Sequence, residues 1–115
     1  MRVGFILGGL ALIGLAAYLV FGRGRELQGP AARALVAAGA RLVDVRSPEE
    51  FSGGHLPGAV NIPVQELAHR LSEVGAVGGD VVVYCRSGQR SARAARVLRE
   101  HGFTSVHNLG PMTAW

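Results

Sequence analysis

The pattern of apolar and polar residues divides the chain into one long apolar segment followed by short alternating runs. Residues 3–22 form twenty consecutive positions without a charged side chain. A run of about 20 apolar residues matches the ~30 Å hydrocarbon thickness of a bilayer, whereas the apolar part of a secretory signal usually has ~7–15 residues. The pattern predicts a transmembrane anchor over residues 1–22, with a cleaved signal peptide as the alternative.

After a linker at residues 23–29, residues 30–115 have the size of one compact domain. Short runs of branched apolar residues predict strands, and apolar residues spaced three or four apart predict helices. Ser47, Pro48 and Glu50 predict a capping box at the start of a brief helix. The predicted strands cover residues 41–45, 59–62, 81–84 and 104–109, and the predicted helices cover 31–38, 48–51, 65–71 and 91–101.

The order of these elements predicts the fold class. Strands that alternate with helices indicate an α/β domain with a mainly parallel sheet. The run "VVVY" at residues 81–84 is apolar throughout, as expected of a strand in the middle of such a sheet. Functional sites of parallel sheets gather at the carboxyl ends of the strands, and Cys85 directly follows this run. Cys85 is therefore the first candidate for a catalytic residue.

The distribution of charged residues indicates whether the chain binds nucleic acid and how it is oriented in a membrane. The net charge is +4, and a cluster of arginines follows Cys85. No interleaved aromatic residues or nucleic-acid motif accompany that cluster, so we expect no nucleic-acid partner. Arg23 and Arg25 follow the apolar segment, while Arg2 precedes it. By the positive-inside rule, we expect a single-pass membrane protein with its C-terminal domain on the cytoplasmic side.

The surroundings of the single cysteine favour a reactive thiolate. One cysteine excludes an intramolecular disulfide and a Cys-x-x-Cys metal or redox site. The thiol stands before a predicted helix, whose unpaired amides and positive dipole end stabilise negative charge. Arg86 and Arg90 add positive charge and can pair with oxyanions in two-point geometry. Ser87 and Gly88 suit a tightly curved loop of converging amides, so this segment predicts a nucleophile with an anion-binding loop.

Three segments resemble the rhodanese-like sulfurtransferase family. The family's first signature is similar to "LVDVRSPEEFSGGHLPGAVNIP" at residues 42–63. Its active-site segment is similar to "VVVYCRSGQRSARAARVLREHGF" at residues 81–103, and its closing segment to "VHNLGPMTAW" at residues 106–115. The resemblance implies a small α/β domain around a mainly parallel five-stranded sheet flanked by helices, here preceded by one transmembrane helix.

The resemblance also implies a mechanism. Cys85 matches the nucleophile, which accepts sulfur from a small anionic donor such as thiosulfate as a persulfide. The sulfur then passes to cyanide or to an acceptor thiol, which can belong to a protein, and no metal or organic cofactor is implied. Asp44 and Arg46 match a supporting ion pair beside the site. The substrate-binding loop of the family matches Arg86, Ser87, Gly88, Gln89 and Arg90.

Two alternatives stand beside an enzymatic sulfurtransferase. One is a non-catalytic sulfur-relay or interaction module at the membrane, in which Cys85 passes sulfur between proteins and small donors react poorly. The other is a phosphatase or arsenate reductase, whose related loops place five residues between cysteine and arginine. Here four residues separate Cys85 from Arg90, which favours a sulfur atom over a tetrahedral phosphate.

Overall fold

The computed structural model describes residues 27–115. The predicted anchor at residues 1–22 lies outside this range, and within the range no helix is long and apolar enough to cross a membrane. The helices are α1 (Gly29–Ala37), α2 (Pro48–Ser52) and α3 (Gln89–Glu100). The strands are β1 (Arg41–Asp44), β2 (Val60–Asn61), β3 (Val81–Cys85) and β4 (Val106–Pro111).

The four strands form one parallel sheet in the order β2-β1-β3-β4. The α/β class with a parallel sheet is confirmed, whereas the expectation of five strands is wrong for the described part of the chain. At the edge beside β4, the Leu27 amide donates one hydrogen bond to the Asn108 carbonyl at 2.9 Å. A strand needs a continuing ladder of such bonds, and α1 begins two residues after Leu27.

The helix predicted over residues 65–71 is replaced by two 3₁₀ segments, Val64–His69 and Leu71–Glu73. Val64 and Leu67 are the buried residues of the first segment. Their spacing of three matches the three residues per turn of a 3₁₀ helix, which places both side chains on the core side. Arg70, at φ −127°, interrupts the backbone between the two segments.

Strand β3 carries the centre of the core on both of its faces. All five of its residues are buried. Val81, Val83 and Cys85 point to the side covered by α3, while Val82 and Tyr84 point to the side covered by α1. This alternation follows from the two-residue period of a strand. The cysteine is therefore both the last residue of a core strand and part of the packing under α3.

The carboxyl end of β3 is shaped by its neighbours. The pairing of β3 with β4 shifts register after Val83, so that Cys85 pairs with Pro111. On the other side of Cys85, α3 begins at Gln89 after only three residues. Gly88 makes this short connection with φ +105°, a left-handed conformation that glycine adopts without a steric penalty. The strand end and the helix start are thereby brought to one point.

Candidate active site

The thiol of Cys85 lies inside the loop that joins β3 to α3. The Gly88 amide donates to Sγ at 3.0 Å, and the Ser91 amide donates to it at 3.4 Å. Cys85 has no exposed surface. A substrate molecule can therefore reach Sγ only when a neighbouring group moves aside.

The hydrogen bonds around Sγ favour its ionised form. Burial by itself raises the pKa of the Cys85 thiol, because a thiolate loses hydration in the core. The side chain and amide of Ser91, together with the amides of Gly88 and Ser87, outweigh burial and hold the pKa below its ordinary value. The loop therefore stabilises negative charge on sulfur.

Ser91 connects the thiol to the loop backbone. In the thiol form, Sγ donates to Ser91 Oγ at 3.4 Å, and Oγ donates to the Gly88 carbonyl at 3.1 Å. A serine hydroxyl has a single proton. The hydroxyl can donate to a thiolate only by turning that proton from the carbonyl to the sulfur. Ser91 can thus serve either protonation state without leaving its place.

Arg90 is held by a carboxylate from another element. Its Nη1 and Nη2 atoms donate to Glu50 Oε1 at 2.6 Å and Oε2 at 3.0 Å. The hydrogen bonds from Arg90 lower the pKa of the Glu50 carboxyl to about 2, and the carboxylate raises the pKa of Arg90. The sequence predicts Arg90 as an oxyanion ligand, yet in this structure its guanidinium is already paired with the Glu50 carboxylate.

A buried ion pair braces the loop after β1. Arg46 Nη2 lies 2.7 Å from Asp44 Oδ2, and both side chains are almost fully buried. The Nε atom of Arg46 also donates to both carboxylate oxygens of Asp44 at 3.1 Å. The same Nη2 atom donates to the Gly54 carbonyl at 2.7 Å. This geometry agrees with a supporting role, because the pair holds the segment that bears α2 against the sheet.

A cavity of about 340 Å³ opens beside the cysteine loop. Arg86, which follows Cys85, and Met112, which follows Pro111, both line it. Because Cys85 and Pro111 pair across the strand ends, the cavity lies at the carboxyl edge of the sheet. The other lining residues are Arg46, Glu49, Glu50, Gly53, Gly54 and Thr113.

The five predicted loop residues occupy different environments. Gly88 is buried against Sγ, and Arg86 is exposed on the cavity wall. Ser87 and Gln89 are exposed, although the Ser87 amide contributes to the lowered pKa of Cys85. Arg90 is half-buried in its pair with Glu50. The structure thus brings Gly88 to the sulfur directly and leaves Arg86 as the loop arginine on the cavity wall.

Sequence reasoning missed three residues that build this site. Glu50 does form the predicted capping box with Ser47, but it also binds Arg90. Ser91 was visible as a polar residue on the inner face of a predicted helix, six residues after the only cysteine. Asn61 donates from Nδ2 to the carbonyls of Asp44 and Arg46, each at 3.0 Å. No local pattern marks that last contact, because it joins two strands.

The site offers no cluster for a metal ion in the described part of the chain. No group of three or more His, Cys, Asp or Glu side chains within residues 27–115 is arranged to hold one. The expectation that the chain needs no cofactor remains a prediction.

Comparison with known proteins gives this geometry a context. A family model described as "Rhodanese-like domain" matches residues 28–115. Among curated proteins, the uncharacterized protein YqhL of Bacillus subtilis is 46% identical over 77 residues. That match covers 66% of this chain and 60% of YqhL, so the chain spans less than two thirds of that relative.

Two further relatives have names that describe an activity. The thiosulfate sulfurtransferase PspE of Escherichia coli is 40% identical over 76 residues, which are 65% of this chain and 73% of PspE. The solved structure of the human single-domain sulfurtransferase TSTD1 superposes with a TM-score of 0.69 at 34% identity. The superposition covers 78% of this chain and 90% of the human one.

Proposed function

Since this chain belongs to the rhodanese-like domain family, we propose that it is a sulfurtransferase that moves sulfane sulfur through a persulfide on Cys85. The donor is a small anion such as thiosulfate, and the acceptor is cyanide or a thiol. The observation that carries the proposal is the hydrogen bonding of Cys85 Sγ by the Ser91 side chain and by loop amides, which holds its pKa below the ordinary value. The naming of PspE as a thiosulfate sulfurtransferase supports the choice of donor.

In the first half-reaction, the Cys85 thiolate attacks the outer sulfur of thiosulfate. A bond forms between Sγ and that sulfur, the sulfur–sulfur bond of thiosulfate breaks, and its electron pair leaves with sulfite. The outer sulfur keeps its own negative charge in the new persulfide, and the charge of the thiolate leaves with sulfite. The amides that point at Sγ prepare this step, because they favour the thiolate, which is the form of Cys85 that attacks.

In the second half-reaction, an acceptor thiolate or cyanide attacks the outer sulfur of the persulfide. The new bond joins the acceptor to that sulfur, and the electron pair of the broken sulfur–sulfur bond returns to Sγ as the thiolate. The hydrogen bonds that favoured the thiolate at the start make Cys85 a good leaving group here. One set of contacts therefore assists both halves of a covalent cycle.

We further propose that the domain works at a membrane. The support is the charge-free segment at residues 3–22 and the arginines that follow it. On this proposal the site is attached to the bilayer by a short linker and meets its substrates at the membrane surface on the cytoplasmic side.

The test is thiocyanate formation from thiosulfate and cyanide by the full chain and by Cys85→Ala. Thiocyanate formation that depends on Cys85 supports the proposal, and full activity of Cys85→Ala contradicts it. Mass spectrometry of the protein after incubation with thiosulfate gives a second readout, because Cys85 should gain the mass of one sulfur atom.

The two readouts together separate an enzyme from a sulfur relay. A persulfide that forms and turns over with cyanide supports the enzyme. A persulfide that forms but passes slowly to small acceptors favours the relay module of the alternative. A chain that gains no sulfur from any donor is an interaction module, and the proposed function is then wrong.

A further inference from the structure

The cavity is lined by acidic as well as basic residues, whereas a site that binds anions tightly is expected to be mainly basic. Arg46 and Arg86 line it, but so do the acidic residues Glu49 and Glu50. The charge of Arg46 is matched by Asp44 at 2.7 Å. A dianionic donor that enters therefore meets two acidic residues as well as the exposed Arg86.

Glu50 stands between the cavity and the second loop arginine. Glu50 lines the cavity, whereas Arg90 is absent from its wall. The two are joined through both carboxylate oxygens, at 2.6 Å and 3.0 Å, and two-point pairs of this kind are the strong ones. Arg90 also lies close enough to Cys85 for a thiolate to raise the arginine's pKa. The guanidinium of Arg90, although it lies near the sulfur, is thus neutralised by a residue that lines the cavity.

We propose that Glu50 is an internal competitor for the anionic substrate and determines how tightly the site binds oxyanions. The inference rests on the proposed function and adds a specificity-determining residue to it. An incoming oxyanion gains Arg90 only when it displaces the Glu50 carboxylate. After sulfur transfer, Glu50 returns to Arg90 and promotes release of sulfite, so that the oxyanion does not remain at the loop.

The position of Glu50 allows a clean substitution. The carboxylate also accepts a hydrogen bond from the Ser47 amide at 3.1 Å as part of the capping box. Glutamine serves this position in a capping box as glutamate does. Glu50→Gln therefore removes the charge and weakens the pair with Arg90, while the start of α2 keeps its hydrogen bond. Glu49→Gln is the matched control, because it removes one charge from the same cavity wall.

The experiment measures anion binding without turnover. Sulfate and sulfite are titrated by calorimetry into the full chain carrying Cys85→Ser, alone and combined with Glu50→Gln or Glu49→Gln. Glu50→Gln is expected to lower the Kd for both anions by about fivefold, the scale of a favourable exposed charge pair. Glu49→Gln is expected to lower it by no more than about twofold. Because no turnover is involved, this result stands even if thiocyanate formation is never observed.

Kinetics on the chain with Cys85 intact provide the second readout. Glu50→Gln is expected to lower the KM for thiosulfate and to strengthen product inhibition by sulfite to a similar degree. Ser47→Ala controls for the helix cap, because it removes the cap hydroxyl and keeps the Glu50 charge. Equal changes in anion affinity in Glu49→Gln and Glu50→Gln would overturn the proposal, as would weaker anion binding by Glu50→Gln. An equal decrease of the KM for thiosulfate in Ser47→Ala would also overturn it.

Discussion

The amide of Gly88 lies 3.0 Å from Sγ of Cys85, at the point where β3 ends and α3 is about to begin. Gly88 takes φ +105°, which turns its amide toward the sulfur. The contact links a backbone conformation to the charge state of the Cys85 thiol. The thiol's pKa therefore depends on the loop backbone as well as on the Ser91 side chain.

Gly88→Ala is expected to weaken both the fold and the thiolate. A side chain in the left-handed region costs about 1–2 kcal/mol, and relief of that strain would turn the amide away from Sγ. Urea unfolding should show a loss of about 1 kcal/mol or more. The ultraviolet absorbance of the thiolate, followed against pH, should show a higher pKa for Cys85. An unchanged thiolate titration would contradict the role of this amide.

Ser91→Ala is expected to raise the pKa of Cys85 and leave the loop in place. The Ser91 side chain is the strongest of the groups that lower this pKa, and its removal leaves burial less opposed. At a fixed pH below the ordinary thiol pKa, the thiolate fraction and the rate of persulfide formation should therefore fall. Ser87→Ala is the control, because the Ser87 side chain is exposed and only its amide acts on the sulfur.

Asp44→Ala is expected to destabilise the domain strongly. It leaves the guanidinium of Arg46 buried without its counter-charge, which costs about 3–5 kcal/mol. Denaturant unfolding measures the loss. The double variant Asp44→Ala/Arg46→Met should recover part of it, because neither charge then remains in the core. A double variant as unstable as the sum of the single losses would exclude the ion pair as the cause.

The pair between Glu50 and Arg90 predicts a specific pH dependence of stability. The Glu50 pKa of about 2 in the folded chain lies below the ~4.3 of an unfolded glutamate. The pair therefore stabilises the fold above pH ~4.3, and this contribution is lost as the pH falls toward 2. Glu50→Gln should lose about 1 kcal/mol at neutral pH, the upper range for exposed pairs, and almost nothing near pH 2.

Urea unfolding at several pH values measures this difference between Glu50→Gln and the unchanged chain. The control repeats the comparison in an Arg90→Met background, where no pair exists to be lost. A stability difference that persists unchanged at low pH, or that remains in the Arg90→Met background, would show that the effect does not come from the ion pair.

The segment at residues 3–22 predicts integral membrane association of the full chain. About 20 apolar residues in a bilayer are held by burial of their side chains, which alkaline carbonate does not reverse. The chain should therefore stay in the membrane fraction after a carbonate wash and enter solution only with detergent. Release by carbonate alone would argue for a peripheral protein or for a cleaved signal peptide.

The sequence by itself determined the fold class and singled out Cys85 as the candidate nucleophile. Both depend on local patterns: the all-apolar run ending at Cys85, the change of period after it, and the capping box at Ser47. The expectation of a fifth strand came from the family resemblance, and no run of residues in the sequence predicted it. The helix expected over residues 65–71 is found as two 3₁₀ helices with an interruption at Arg70, because buried residues spaced three apart suit a 3₁₀ turn as well as an α-helical one.

The tertiary structure decided what surrounds Cys85. Glu50 and Arg90 are forty residues apart, and their meeting depends on how α2 and the β3–α3 loop pack against one sheet edge. A local pattern explains Glu50 fully as a helix cap and carries no sign of a second partner. The sequence could predict two arginines near a thiol, because they are close to it along the chain. It could not predict their ion-pair partners, because those come from contacts distant in sequence. Only the folded chain shows that one of them is already paired.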